Sequence, residues 1–192
     1  MSERPWRDDV GRQVRALRML VAALVGGVLF FLLVVLVSSS FAAGKAEAQR
    51  PVITWIALAF AGLSVVLRLV VPGAVVSSAR RKILRGEYDP ARRATGDRRQ
   101  QLDAFFRRTG DAGRLMIVYM TTTILAGAIL EWAAFFLLVA YMIERHIQGL
   151  VVAVALALAI AAHMPSWARV FAWIEGQLRR LDEERQFHPP RG

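Results

Sequence analysis

Among the residues of this 192-residue chain that could do chemistry, one acid stands where an acid is costly: Glu131, within ILAGAILEWAAFFLLVAYMI, residues 124–143. A carboxyl in the middle of such a run costs on the order of 2.5–3.5 kcal/mol to place in hydrocarbon. It must face a helix bundle rather than lipid. Its possible partners are Arg68 and Ser64 on one neighbouring apolar run, His163 on another, and the backbone bared by Gly26 or Gly27 on a third. Counting each run as symmetric puts Arg68 about seven residues, or about 10 Å, to one side of Glu131, with His163 near the level of Arg68. A Glu131–Arg68–His163 cluster is then possible but stretched. Proton or cation binding is one chemistry for Glu131; hydrogen bonding that fixes helix packing is the other. Arg68 is near enough to an interface to snorkel, and His163 is placed to end its own helix.

Little else points to catalysis. The chain has no cysteine, which excludes disulfides and thiol chemistry, and only three scattered His, which argue against a structural metal or cofactor. The acids Asp89, Asp97, Asp103 and Asp111 are too dispersed for an enzyme acting on lipid head groups. Asp97 suits a helix cap, and the others suit solvated partners for Arg.

The elements that must position Glu131 are set by segregation. The chain is 56% hydrophobic yet 21% charged, and the two populations fall in separate blocks. That pattern indicates an all-α membrane protein: a four-transmembrane-helix bundle with cytoplasmic amphipathic helices. The longest polar stretch is about 40 residues and poor in apolar side chains, too little for a separate soluble domain.

A polar segment, 1–18, precedes an uncharged run from Met19 to Val37, long enough for a first span. Ser40-Phe41-Ala42 resembles a signal cleavage site, but the run is longer than a cleaved signal's core, so an uncleaved helix is expected. A link over 39–51 contains Gly44 and Pro51. The second span runs from Val52 to about Val71 and ends at Pro72-Gly73. Residues 73–114 are basic; Ala74–Arg85 could continue the second helix, Glu87–Gly96 reads as a loop, and Asp97–Thr109 as a helix with a glycine just past its end. Its stripe of Leu102, Phe105 and Phe106 suits either a membrane surface or packing against the cytoplasmic ends of the spans. The third span lies within Leu115–Ile143, and Glu144-Arg145-His146 with Gly149 makes a tight turn. The fourth runs from about Ile147 to Trp167. The domain organisation expected is thus a cytoplasmic segment 1–18, a membrane domain 19–167 that includes the loop 73–114, and a tail 168–192. That tail begins as a helix with Val170, Phe171, Ile174, Leu178 and Leu181 on one face, and its last residues, from Pro189, are expected to fray.

Charge sets the orientation. Of 25 Lys and Arg, 21 lie in 1–18, 73–114 and 168–192, against three in the two short links. The positive-inside rule makes the richer side cytoplasmic and requires an even number of spans. The expected location is the inner membrane of a cell, with both termini cytoplasmic. The net charge of +10 is read as facing anionic lipid rather than nucleic acid, with Arg80, Arg81, Lys82, Arg107 and Arg108 as head-group contacts. Trp6, Trp55, Trp167 and Trp173 fall near interfaces; Trp132 falls mid-span. Small residues, among them Gly26, Gly27, Ala57, Ala61, Gly62, Gly127, Ala134 and Ala153, permit close helix packing. A homo-oligomer or a membrane-protein partner is left open.

The segment around Glu131 resembles the ion-binding helix of rotary ATP synthase c subunits, where the acid binds a proton or Na⁺. The resemblance covers about 20 residues. The chain departs from that family in having four spans rather than two, Gly26-Gly27 in place of a glycine-rich stripe, and no counterpart of the family's polar loop. Over its whole length it is similar to uncharacterised four-span membrane proteins of bacteria, through Leu130–Phe136 and Tyr141–Glu144; that similarity implies no activity. The expected function is that of a non-enzymatic scaffold or accessory subunit, with proton- or cation-coupled transport through Glu131 as the alternative.

Overall fold

The computed structural model describes residues 6–41, 51–93 and 95–187, omitting the side chains of residues 41 and 93. The link residues 42–50, the rest of the cleavage-like motif and the tail from residue 188 lie outside that set. The described residues form five α-helices and a short 3-10 helix, with no strand: α1 (Trp6–Phe41), α2 (Val52–Leu84), the 3-10 turn Pro90–Arg93, α3 (Asp97–Glu144), α4 (Ile147–Ala162) and α5 (Trp167–Phe187). Three of them, α1, α2 and α3, are long and apolar enough to cross a membrane, or four if α4 and α5 are counted together.

Two compact units share these helices. One comprises residues 1–18, 73–123 and 165–192; the other comprises 19–72 and 124–164. The first has its own hydrophobic core, built from Val10 and Val14, Ile83, Leu115 and Met116, and Ile174 among others. That differs from the domain organisation expected from sequence, because the core is assembled from three separated pieces, none of which holds enough apolar residues alone. Residues 6–18 are helical because Val10, Val14 and Leu17 recur every three to four residues between the arginines and are fully buried. On α5, Val170, Ile174 and Leu181 are buried and Phe171 and Leu178 partly so, as the spacing indicates.

Two features of this unit depend on glycine. At Gly110 the α3 backbone takes φ 57°, ψ −136°, a conformation closed to residues with a Cβ, and the helix breaks there. Phe105 is buried, and a Cβ on Gly113 would collide with Thr109 and lie 2.9 Å from the Phe105 ring. The 102–106 stripe therefore turns Phe105 into the chain's own packing. Asp97 is in the first turn of α3, exposed, and makes no capping hydrogen bond. It meets the positive end of the helix dipole. Asp89 is the acid that caps, accepting from the Ala91 N–H at 3.0 Å at the 3-10 turn.

In the second unit, Leu24, Gly27 and Phe31 of α1 meet Gly127, Glu131 and Phe135 of α3, so these helices run parallel. Phe60 of α2 stacks edge-on against Phe136 at 5.8 Å. A Cβ on Gly149 of α4 would lie 3.1 Å from the Leu137 carbonyl oxygen of α3. Ala57, Ala61, Ala134, Ala153 and Ala157 are buried, as close helix packing requires. Gly26 and Gly62 instead face open space. The expected stop at Pro72-Gly73 is not one: α2 continues through Pro72 to Leu84. A proline removes one backbone hydrogen bond without ending a helix that is held on both sides of it.

Candidate functional site

The two units treat apolar side chains in opposite ways. Among the described residues, all the large hydrophobic ones that are exposed, except Phe187, belong to the second unit, including Phe30, Leu33, Ile56, Leu69, Val151 and Leu158. Trp132 is 70% exposed on this surface. Trp6, Trp167 and Trp173 instead pack around the core of the first unit.

Within the apolar unit, Glu131 faces α1. A Cβ built on Gly27 would lie 3.2 Å from its Oε1, while one on Gly26 would meet nothing. Gly27 is therefore the glycine that makes room for the carboxyl. Glu131 is half-buried and makes no hydrogen bond or ion pair with any described residue. Arg68 is likewise half-buried and makes no ion pair with a described residue. Ser64 is buried on the α2 stripe of Thr54, Ala57 and Ala61 and does not bond to Glu131. His163 ends α4, with Nδ1 2.8 Å from the Ala159 carbonyl, to which it donates. Among the described residues no hydrogen bond or ion pair joins Glu131, Arg68 and His163.

The register of α2 against α3 changes how Arg68 and Glu131 relate. Glu144 meets Ile53 and Thr54, and Phe136 meets Phe60, which fixes the antiparallel alignment at two points. Glu131 stands thirteen residues before Glu144, and Arg68 fifteen after Ile53. At 1.5 Å per residue their levels differ by about 3 Å, not by the 10 Å that counting symmetric spans gives. Pro72 also lacks the N–H that would bond the Arg68 carbonyl one turn earlier.

Glu144 is a residue whose role the sequence reading missed. Its Oε1 accepts from the Ile53 N–H at 2.7 Å and its Oε2 from the Thr54 N–H at 2.8 Å. A helix leaves its first N–H groups without partners, and Pro51 offers no side-chain acceptor, so the end of α3 supplies one to the start of α2. Glu144 lies beyond the apolar run 124–143. Partial desolvation pushes its carboxyl up; hydrogen bonding from the Ile53 and Thr54 N–H groups, with His146 adding, outweighs that and holds it below the usual glutamate range. The signal available in sequence was an α2 that opens without a capping residue.

The basic residues divide. Arg80 pairs with Glu184 at 2.9 Å and Arg108 with Asp9 at 3.4 Å, so these two are tied into the first unit. Arg81, Lys82 and Arg107 are exposed and make no ion pair with a described residue. Arg7–Glu175, Arg114–Asp111 and Arg185–Asp111 complete a lattice of pairs on this unit. Arg15 and Arg18 stand 5.9 Å from the Trp167 ring, and Arg18 donates to the Pro165 carbonyl at 2.7 Å. Among the described residues no group of three or more His, Asp or Glu converges as a metal site. Comparison with family models, with curated proteins and with solved structures finds no match.

Proposed function

We infer that this chain is a multi-pass membrane protein that crosses the bilayer four times and serves as a non-enzymatic scaffold or accessory subunit. The observation that carries this reading is the opposite burial of apolar side chains: residues 19–72 and 124–164 turn them outward, as a lipid solvent requires, and the other unit turns them inward. The fourth crossing is α4, whose sixteen residues give about 24 Å, short of the roughly 30 Å core but extended by its polar ends. Both termini and the basic segments are cytoplasmic by the charge asymmetry of the sequence, and the membrane is the inner membrane of a bacterial cell. The scaffold role is supported by what the polar groups do: those of the first unit join its helices to one another, and Glu144 and His163 serve helix ends. Arg81, Lys82 and Arg107 remain for anionic head groups.

A second reading, proton- or cation-coupled transport through Glu131, is favoured by one observation, the lack of any partner for that carboxyl among the described residues. Ion flux into liposomes containing the protein separates the two. The scaffold reading expects flux equal to that of empty liposomes, and a Glu131→Gln variant that inserts and folds as the parent does. Flux that Glu131→Gln abolishes establishes transport instead.

A further inference from the structure

We propose that Arg68 of one copy pairs with Glu131 of a second copy of this chain, forming a dimer within the membrane. The inference rests on the membrane reading above. Glu131 and Arg68 are charged residues of opposite sign in the apolar unit, and neither has an ion pair with a described residue. Both remain half-exposed. An isolated charge in hydrocarbon is costly, so each requires a partner or a route to the interface.

The α2–α3 register brings them to within about 3 Å of the same level. Every copy inserts with the same orientation, because the charge asymmetry that sets it is in the sequence. Matching depth within one chain is therefore matching depth between chains. A two-fold axis along the membrane normal then satisfies both residues twice, Arg68 to Glu131 and Glu131 to Arg68, which is the self-complementary arrangement of a symmetric dimer. The small residues beside the pair permit approach: Gly26 and Gly62 have open space where a Cβ would stand.

The chain has no cysteine, so a single Phe187→Cys substitution gives one exposed site for a fluorophore. Photobleaching steps counted in vesicles of neutral and anionic lipid, over a range of protein density, report the oligomeric state. The parent is expected to give two steps. Glu131→Gln and Arg68→Gln each alter both pairs of the symmetric dimer, so each is expected to weaken association about ten- to a hundredfold, the size of two polar contacts between membrane helices. The decisive arm uses charge reversal. Glu131→Arg alone and Arg68→Glu alone are expected to be monomeric, and an equal mixture of the two to form mixed dimers, because only the mixture restores both pairs. Where a reversed variant does not enter vesicles, the two Gln variants carry the test. A parent that is monomeric at all densities overturns the proposal, with Arg68 reaching the interface alone. Dimers insensitive to both Gln substitutions overturn it in favour of another surface. A parent that does not enter the bilayer at all contradicts the membrane reading itself, a separate outcome.

Discussion

Glu144, the last residue of α3, holds the first turn of α2 through Thr54, whose N–H donates to Oε2 at 2.8 Å while the neighbouring Ile53 N–H donates to Oε1 at 2.7 Å. One carboxylate thereby fixes two antiparallel helices in register. Removing it is expected to lower the thermal unfolding midpoint in detergent, with Glu144→Ala lowering it more than Glu144→Gln, which keeps an acceptor.

The same bond carries a pH signature. The Glu144 carboxyl is held below its ordinary value, so its contribution to stability is present above the unfolded-state value of about 4.3 and is lost as pH falls through the lower, folded value. In an NMR titration the amide signals of Ile53 and Thr54 are expected to move with an inflection below that of an unperturbed glutamate. An inflection at or above the ordinary value would remove the cap from the account.

Gly26 and Gly27 are adjacent but not equivalent. Gly26→Ala faces open space within one chain and is expected to leave the stability of the detergent-solubilised monomer unchanged or raise it by up to about 1 kcal/mol through helix propensity. Gly27→Ala brings its methyl to 3.2 Å from Glu131 Oε1 and is expected to forfeit that gain. Gly27→Val, with further atoms to place, is expected to destabilise clearly. Thermal unfolding of the three variants side by side checks the order.

Two backbone positions with positive φ have opposite occupants. Gly110 at φ 57° uses the freedom of glycine, and Gly110→Ala is expected to cost about 1–3 kcal/mol. Arg145 holds φ 58° despite its side chain, and Arg145→Gly is expected to stabilise by about 1 kcal/mol. Denaturant unfolding reads both.

The core of the first unit is expected to be sensitive to truncation. Leu115 and Ile174 are fully buried, and Leu115→Ala or Ile174→Ala is expected to cost about 2–5 kcal/mol. Loss of near-ultraviolet circular dichroism from Trp6, Trp167 and Trp173, which surround that core, is the expected spectroscopic companion.

Much of this fold is legible in the sequence, because apolar runs and a helical stripe are local signals. The runs containing Glu131 and Arg68 mark α3 and α2, and Val170, Ile174 and Leu181 mark the buried face of α5. The helical stripe of Val10, Val14 and Leu17 escapes notice because Arg7, Arg12, Arg15 and Arg18 surround it, and its burial depends on a core contributed by distant segments. Pro72 reads as a stop because a local rule says nothing of the helix packing on either side. The roles of Glu144 and Gly27 depend on which helices are neighbours and in what register, and that information lies in tertiary contact. The placement of Arg68 level with Glu131 has the same origin: symmetric counting cannot supply an alignment that a cap and one aromatic pair fix.

The four-crossing arrangement is tested most directly by labelling single cysteines in the cysteine-free chain with a membrane-impermeant reagent, in intact and in opened cells. Val52→Cys and Gln148→Cys are expected to react in intact cells. Asp8→Cys, Arg92→Cys and Glu183→Cys are expected to react only after the membrane is opened. Reaction of Asp8→Cys and Gln148→Cys from the same side would contradict the account.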